Sequence, residues 1–212
     1  MEDKLLKSYN GYIVLFLTII GYILAFISFI FSIIHFNIFV LVISILYLTT
    51  AWILFMGLHS LKPNQALVFT CFGSYVGTRK EEGFFFINPF ARGYNPSRKT
   101  NMEDQTKSKK LSLKVCSYCI NKLVVNDCEN TPLEIEIQVL WQIKDCAKTI
   151  FNVENYRTYF MQSCIVSIQE IIMHSSYPNI DVVKIKDHLQ NILNITGIEV
   201  LSVSILSIKK TL

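Results

Sequence analysis

SYNGYIVLFLTIIGYILAFISFIFSIIHFNIFVLVISILYLTTAWILFMGLHSL, residues 8–61, contains no Asp, Glu, Lys or Arg between Lys7 and Lys62. As one helix this tract would run to roughly 75 Å at 1.5 Å per residue, whereas about 20 apolar residues cross a bilayer core of ~30 Å. It must therefore turn back on itself. Near its middle the polar interruption is His35-Phe36-Asn37, flanked by Ile33, Ile34 and then Ile38, Phe39, Val40, which suits a tight turn at the far membrane face. The reading is two spans, Tyr12 to Ile34 and Phe36 to Met56, with Tyr9, Tyr12, Tyr47 and Trp52 as interfacial anchors, the last two rather deep. A cleaved secretory signal fits the tract poorly, since its apolar region is short and followed by small residues at a cleavage site, and neither holds here. The expected organisation is a cytoplasmic tail over 1–11, a transmembrane helical hairpin over 12–60 and one folded domain over 61–212.

Lys4 and Lys7 precede the hairpin, Lys62, Arg79 and Lys80 follow it, and the connecting turn has no basic residue, so both ends are expected in the cytoplasm. Cysteine usage agrees, because Cys71, Cys116, Cys119, Cys128, Cys146 and Cys164 show no disulfide-framework spacing and a reducing compartment keeps them as thiols. There the sequon Asn194-Ile195-Thr196 has no meaning. Net charge is a modest +4, but Lys62, Arg79, Lys80, Arg92, Arg98, Lys99, Lys107, Lys109 and Lys110 crowd the part nearest the anchor. Such a run is either a solvated loop or a contact with anionic headgroups, worth roughly 1 kcal/mol per basic residue. Nucleic acid is not expected, since the aromatic residues sit in apolar strings and not between basic ones.

In the domain, strand signals come first. Gln65 to Phe72 is a β-rich run stopped by Gly73 and Gly77, and Glu82-Gly83 leads into Phe84-Phe85-Phe86-Ile87, closed by Asn88-Pro89. Asn95 to Lys110 reads as an exposed loop, and Leu111 to Val115 and Lys122 to Val125 as further strands. The clearest strand is Leu133 to Ile143, where Leu133, Ile135, Ile137, Val139, Trp141 and Ile143 alternate with Glu134, Glu136, Gln138 and Gln142. One of its faces is expected in the core and the other wet. The turn Asp127 to Pro132 joins it to its predecessor as an antiparallel hairpin. The period then becomes helical. Asp145 caps a short helix with Ala147, Ile150 and Phe151, and Asn155 opens a longer one with Tyr156, Phe160, Ile168, Ile171 and Ile172, broken at Tyr177-Pro178. Asp181 caps a third with Val182, Ile185, Leu189 and Ile192, and Gly197 precedes a last strand, Ile198 to Ile208. The fold class is α+β.

Chemistry is sparse. Cys116-Ser117-Tyr118-Cys119 has CxxC spacing, but it falls at a strand end without a helix N-terminus to lower a thiol pKa, and no second CxxC or close His pair completes a metal site. His174 and His188 read as helix-surface or interface residues. Glu134 and Glu136 share the solvent face of a strand, Ser163, Ser167 and His174 form no triad, and Gly73 and Gly77 form no phosphate loop. No enzyme activity, cofactor or metal is expected.

Leu61-Lys62-Pro63-Asn64-Gln65-Ala66, Phe72-Gly73-Ser74-Tyr75-Val76-Gly77-Thr78, Gly83-Phe84 and Asn88-Pro89-Phe90 together resemble the opening of the SPFH or Band 7 domain of stomatins, prohibitins and flotillins. The resemblance continues in order through Leu111 to Val115, Lys122 to Asp127, Thr131 to Ile135, Val139 to Ile143, Phe151 to Tyr156 and Gly197 to Val200, and includes a two-span anchor like that of some bacterial members. It implies an α+β domain at the inner (plasma) membrane, a scaffold that forms large homo-oligomers, organises a membrane patch and associates with membrane lipids and with membrane proteases or their regulators. In the family the last strand runs on into a long charged helix, whereas this chain stops at Ser207-Ile208-Lys209-Lys210-Thr211-Leu212. The expectation is either assembly through domain and hairpin alone or a truncated, degenerate member. The expected membrane-interface residues are Phe84, Phe85, Phe86, Arg79, Lys80, Lys109 and Lys110, with core burial as the competing reading of the phenylalanines. A thiol redox or metal-binding enzyme using Cys116 and Cys119 is the alternative function.

Overall fold

The computed structural model describes residues 2–99, 108–175, 178 and 180–210. Its contacts divide the chain into two compact units, Lys4–Gly93 and Met1–Asp3 with Tyr94–Leu212.

In the unit Lys4–Gly93, a short strand β1 (Tyr9–Asn10) leads into α1 (Gly11–Ile34), followed by α2 (Ile38–Thr50) and, after Ala51, α3 (Trp52–Met56). The uncharged tract thus forms the expected helical pair, with a break at Ala51. Asn10 Oδ1 accepts from the Tyr12 N–H at 3.0 Å, and Asn37 Oδ1 from the Val40 N–H at 3.4 Å, so each helix begins at a side-chain cap. Ser32 Oγ donates to the Asn37 carbonyl across the turn, where Phe36 takes a φ of 53°. Both stretches, Gly11–Ile34 and Ile38–Met56, are long and apolar enough to cross a membrane, and only 6% and 11% of their most apolar windows are buried. A core helix of a soluble protein would be mostly covered; these face outward with their Ile, Leu and Phe side chains.

The buried positions of the pair are instead small and mostly polar: Gly11, Thr18, Ser32 and Ser44. The Tyr22 hydroxyl donates to the Leu48 carbonyl at 3.1 Å, and Ser44 Oγ lies 3.3 Å from Ser28 Oγ across the two helices. Lipid tails are as apolar as leucine, so helices in a bilayer associate through close approach and hydrogen bonds of this kind.

After the helices come β2 (Leu58–Leu61), β3 (Gln65–Cys71), β4 (Ser74–Arg79), β5 (Gly83–Phe86) and β6 (Arg92–Gly93). Strand β5 lies between β1 and β2, and β3 lies between β4 and β6, all antiparallel pairs. Gly77 does not stop the first run as expected: after a two-residue turn the chain resumes pairing through it as β4. The core joins Leu61, Leu67, Phe69, Phe85, Ile87 and Ala91, with Leu6 packed against it. The segment before the helices also bonds to β4, the Thr78 N–H donating to Lys4 O at 2.7 Å and the Leu6 N–H to Thr78 O at 3.1 Å. Residues on both sides of the apolar tract therefore share one core, so any crossing of a bilayer by this tract has to bring its two ends back to the same side.

In the second unit β7 (Leu111–Ser112), β8 (Cys116–Asn126) and β9 (Pro132–Ile143) precede α4 (Cys146–Phe151), α5 (Tyr156–Met173), α6 (Val182–Leu193) and β10 (Ile198–Lys210). The sheet order is β10, β9, β8, antiparallel throughout. Strand β9 is central and buries Leu133, Ile135, Ile137, Val139, Trp141 and Ile143 as its alternation requires. Its other face is half-buried where a wet face was expected, because neighbours on both sides cover it: Gln138 Nε2 donates to Ser117 Oγ and Gln142 Nε2 to Glu199 Oε2, each at 2.9 Å. Strand β8 starts well before the expected Lys122. Pairing with β9 carries it from Cys116, across a bulge between Ile120 and Leu123 where Lys122 has a φ of 56°. The caps Asp145, Asn155 and Asp181 all stand where expected. Helix α5 buries Tyr156, Phe160, Cys164, Ile168 and Ile172, and α6 buries Ile185, Leu189 and Leu193. Trp141 and Phe160, with ring centroids 4.5 Å apart, join sheet to helix. The Asp3 carboxylate accepts from the Cys146 and Ala147 N–H groups at 3.0 and 2.8 Å, at the start of α4. Residues 100–107 of the expected Asn95 to Lys110 loop, Tyr177 of the helix break, and the Arg98 and Lys99 side chains lie outside what is described, while Pro96–Lys99 form a 3-10 turn.

The shared core makes a topological prediction. In sealed vesicles, with exposed Cys119 and Cys128 replaced by serine, cysteines placed at Glu2 and Glu82 will react with an impermeant maleimide from the same side, and one placed at Phe36 from the opposite side. Labelling of the Glu2 and Glu82 positions from opposite sides would contradict the hairpin.

Candidate membrane-anchoring site

Strand β5 is the sequence Gly83-Phe84-Phe85-Phe86, and strand geometry sends Phe85 to one face and Phe84 and Phe86 to the other. Phe85 is 2% exposed, within the core and near the rings of Phe69 and His59. It has no surface to offer a membrane. Phe84 and Phe86 are half-buried against the two ends of the helical pair. The Phe84 ring lies 5.1 Å from that of Tyr12 in the first turn of α1. Tyr9 and Leu58 both pair with Phe86, Asn10 and His59 both with Phe85, and the Ile87 N–H donates to Gly57 O at 3.0 Å.

This close approach depends on two glycines. A methyl group on Gly11 would stand 2.7 Å from Phe84 Cδ1 and 2.8 Å from the Phe85 nitrogen, and one on Gly57 would overlap the Ile87 carbonyl and stand 2.6 Å from Phe86 Cε2. Real side-chain carbons do not sit that near backbone atoms, so the strand reaches the helix ends only because both positions lack a side chain.

Arg79, at the end of β4, is occupied inside this arrangement. Its Nη1 donates to Ser8 Oγ at 2.7 Å, its Nη2 pairs with Glu81 at 2.9 Å, and its guanidinium lies 5.2 Å from the centre of the Phe85 ring. Glu81 is itself largely exposed, so this pair contributes little by itself. The bond to Ser8 matters more, because it ties the residue before β1 to the strand that follows the helices. Arg79 and the three phenylalanines thus come together in one place. Lys80 is half-buried in the same unit, whereas Lys109, exposed, and Lys110, half-buried, belong to the other.

The CxxC pair lies at the start of β8, with Cys116 its first residue and Cys119 its fourth. Residues three apart on a strand point to opposite faces and lie ~10 Å apart along it, beyond the ~7 Å Cα separation that a disulfide spans. Both cysteines are free thiols. Cys164 is buried on α5, and burial pushes its thiol up to about 12, so it is neutral near pH 7 and no nucleophile. Burial also raises the Tyr118 hydroxyl. Among the described residues no three His, Cys, Asp or Glu side chains converge to hold a metal ion. Ser8, Gly11 and Gly57 are the anchoring residues that sequence reasoning missed. The signal was a glycine near each end of an uncharged tract.

A family model described as SPFH domain / Band 7 family matches residues 59–211. No curated protein matches the chain.

Two predictions follow from the geometry. Gly11→Val and Gly57→Val will each destabilise the reconstituted protein by about 1–3 kcal/mol, the usual cost of overfilling a packed site, read as a lower melting temperature. Unchanged melting would mean that β5 does not hold the helix ends. Under diamide, peptide mapping will find no internal Cys116–Cys119 disulfide, and maleimide will modify exposed Cys119 and Cys128 far faster than buried Cys146 and Cys164.

Proposed function

The chain belongs to the SPFH domain / Band 7 family, and from that premise we propose that it is a membrane-anchored scaffold which organises a patch of membrane by assembling with copies of itself. Members of this family are generally membrane scaffolds and not enzymes. The observation that carries the reading is the placement of β5 between β1 and β2. Because both ends of the helical pair are stitched to one strand, the unit Lys4–Gly93 is held at the bilayer surface without a flexible linker, as a scaffold that keeps its neighbours in register requires.

In this reading the chain lies in the inner (plasma) membrane. Its soluble part is cytoplasmic, on the side favoured by Lys4, Lys7 and Lys62. The hairpin is formed by Gly11–Ile34 and Ile38–Met56, a few residues short of the expected end at 60 because Leu58–Leu61 form β2, and the family domain takes up the chain from there. Phe84 and Phe86 serve the membrane interface by holding the helix ends, and Lys80, Lys109 and Lys110 offer charge to anionic headgroups. A membrane protease or its regulator is the partner class. The CxxC enzyme reading loses its support from the separation of Cys116 and Cys119 along β8.

The test is the mass of the protein in nanodiscs, by mass photometry. A large discrete homo-oligomer is the expected result. A monomer or small dimer would overturn the scaffold reading and leave a membrane-tethered domain.

A further inference from the structure

The turn between β3 and β4 has an unusual residue at its tip. Cys71 pairs with Ser74, so Phe72 and Gly73 are the central residues of a two-residue hairpin turn, with φ of 48° and 85°. Turns with positive φ at both centres favour Asn-Gly, since asparagine tolerates the left-handed region and a bulky aromatic residue does not. Phe72 therefore sits in a strained backbone conformation, and its side chain is also 88% exposed. Strain combined with an exposed apolar ring persists where something else makes use of it.

Phe90, itself 56% exposed, stacks beside Phe72 with ring centroids 6.0 Å apart. The two rings line an open cavity of about 390 Å³, together with Ile53 and Met56 of α3 and with Arg92. Arg92 is held by β6, opposite Thr70 of β3, and is exposed. Among the described residues no carboxylate pairs with it. Met56 is the last residue of the second stretch able to cross the membrane, so the cavity is built partly from that stretch where it leaves the bilayer. An aromatic pair, an aliphatic wall continuous with the lipid-facing helix and one unneutralised guanidinium match a molecule with a phosphate beside an acyl region.

We propose that this cavity binds one anionic phospholipid of the surrounding bilayer, its phosphate against Arg92 and its glycerol and first acyl carbons against Ile53, Met56, Phe72 and Phe90. The proposal rests on the membrane anchoring of the helical pair and is independent of the assembly proposed above.

The test uses full-length protein in nanodiscs of equal parts phosphatidylcholine and phosphatidylglycerol, with retained lipid counted by native mass spectrometry after release. The wild type is expected to keep phosphatidylglycerol in preference to phosphatidylcholine. Arg92→Gln will reduce that preference roughly fivefold, the factor for one basic group near an anionic surface, while Lys62→Gln leaves it nearly unchanged. Phe72→Asn will relieve the turn, holding or raising the melting temperature, and yet lower retention of both lipids, which separates a binding loss from a folding loss. No headgroup preference in the wild type, or an equal loss in the Lys62 variant, would overturn the site. So would displacement of the lipid by millimolar inorganic phosphate, which would point to a free-anion site. If Phe72→Asn changed the oligomer mass and not lipid retention, the face would be a contact between copies and the assignment would fall. Failure of the wild type to enter nanodiscs would refute the anchoring itself along with the site.

Discussion

Strand β5 is hydrogen-bonded on one edge to β1, which opens into α1, and on the other to β2, which follows α3. An apolar helical pair gains nothing in lipid from the hydrophobic effect that holds a soluble core, and its helices here meet through close packing of Tyr22 on Tyr47 and Phe55 and through the hydrogen bonds of Tyr22 with Leu48 and of Ser44 with Ser28. At the membrane surface the constraint changes: backbone groups that would otherwise need water are satisfied by the three-stranded pairing. Gly11 and Gly57 make that pairing sterically feasible, and Phe85 buries the opposite face of the same strand. One four-residue strand thereby closes the helices at their base and contributes to the core beneath them.

Charge is used sparingly in this arrangement. Arg79 reaches Ser8 and lies over Phe85, so its guanidinium is committed to structure. Arg92, a short distance along the sequence, has no such commitment among the described residues and stands by an aromatic pair and an open cavity. The two arginines look alike in sequence. Their difference lies in what the sheets place beside each of them, which decides whether a guanidinium stabilises the fold or is left to meet a ligand.

The second unit follows local rules closely. The alternation of β9, the caps at Asp145, Asn155 and Asp181, and the helical stripes of α5 and α6 are all readable because each depends on a side chain's periodicity or on a bond to a backbone group two or three residues away. The early start of β8 was not readable: Cys116, Ser117 and Asn121 carry no strand pattern, and partnership with β9 supplies the reason for their conformation. The CxxC spacing is ambiguous by itself. It implies neighbouring thiols on a helix or tight turn and distant ones on a strand, so its meaning waits on the secondary structure around it.

By itself the sequence determined that the chain has an uncharged tract long enough to cross a bilayer twice, an α+β domain after it and the SPFH family pattern, because length, charge exclusion and periodicity are properties of the chain read locally. Tertiary structure alone decided how the ends of that tract are tied, that Phe85 is core while Phe84 and Phe86 meet the helix ends, that Arg79 is occupied, and that Phe72, Phe90 and Arg92 share a cavity. Those facts depend on register between strands far apart in sequence and on the space left by two glycines. A one-residue slip in β5 would turn Phe85 outward and Phe84 and Phe86 inward, and no local signal marks which register the pairing adopts.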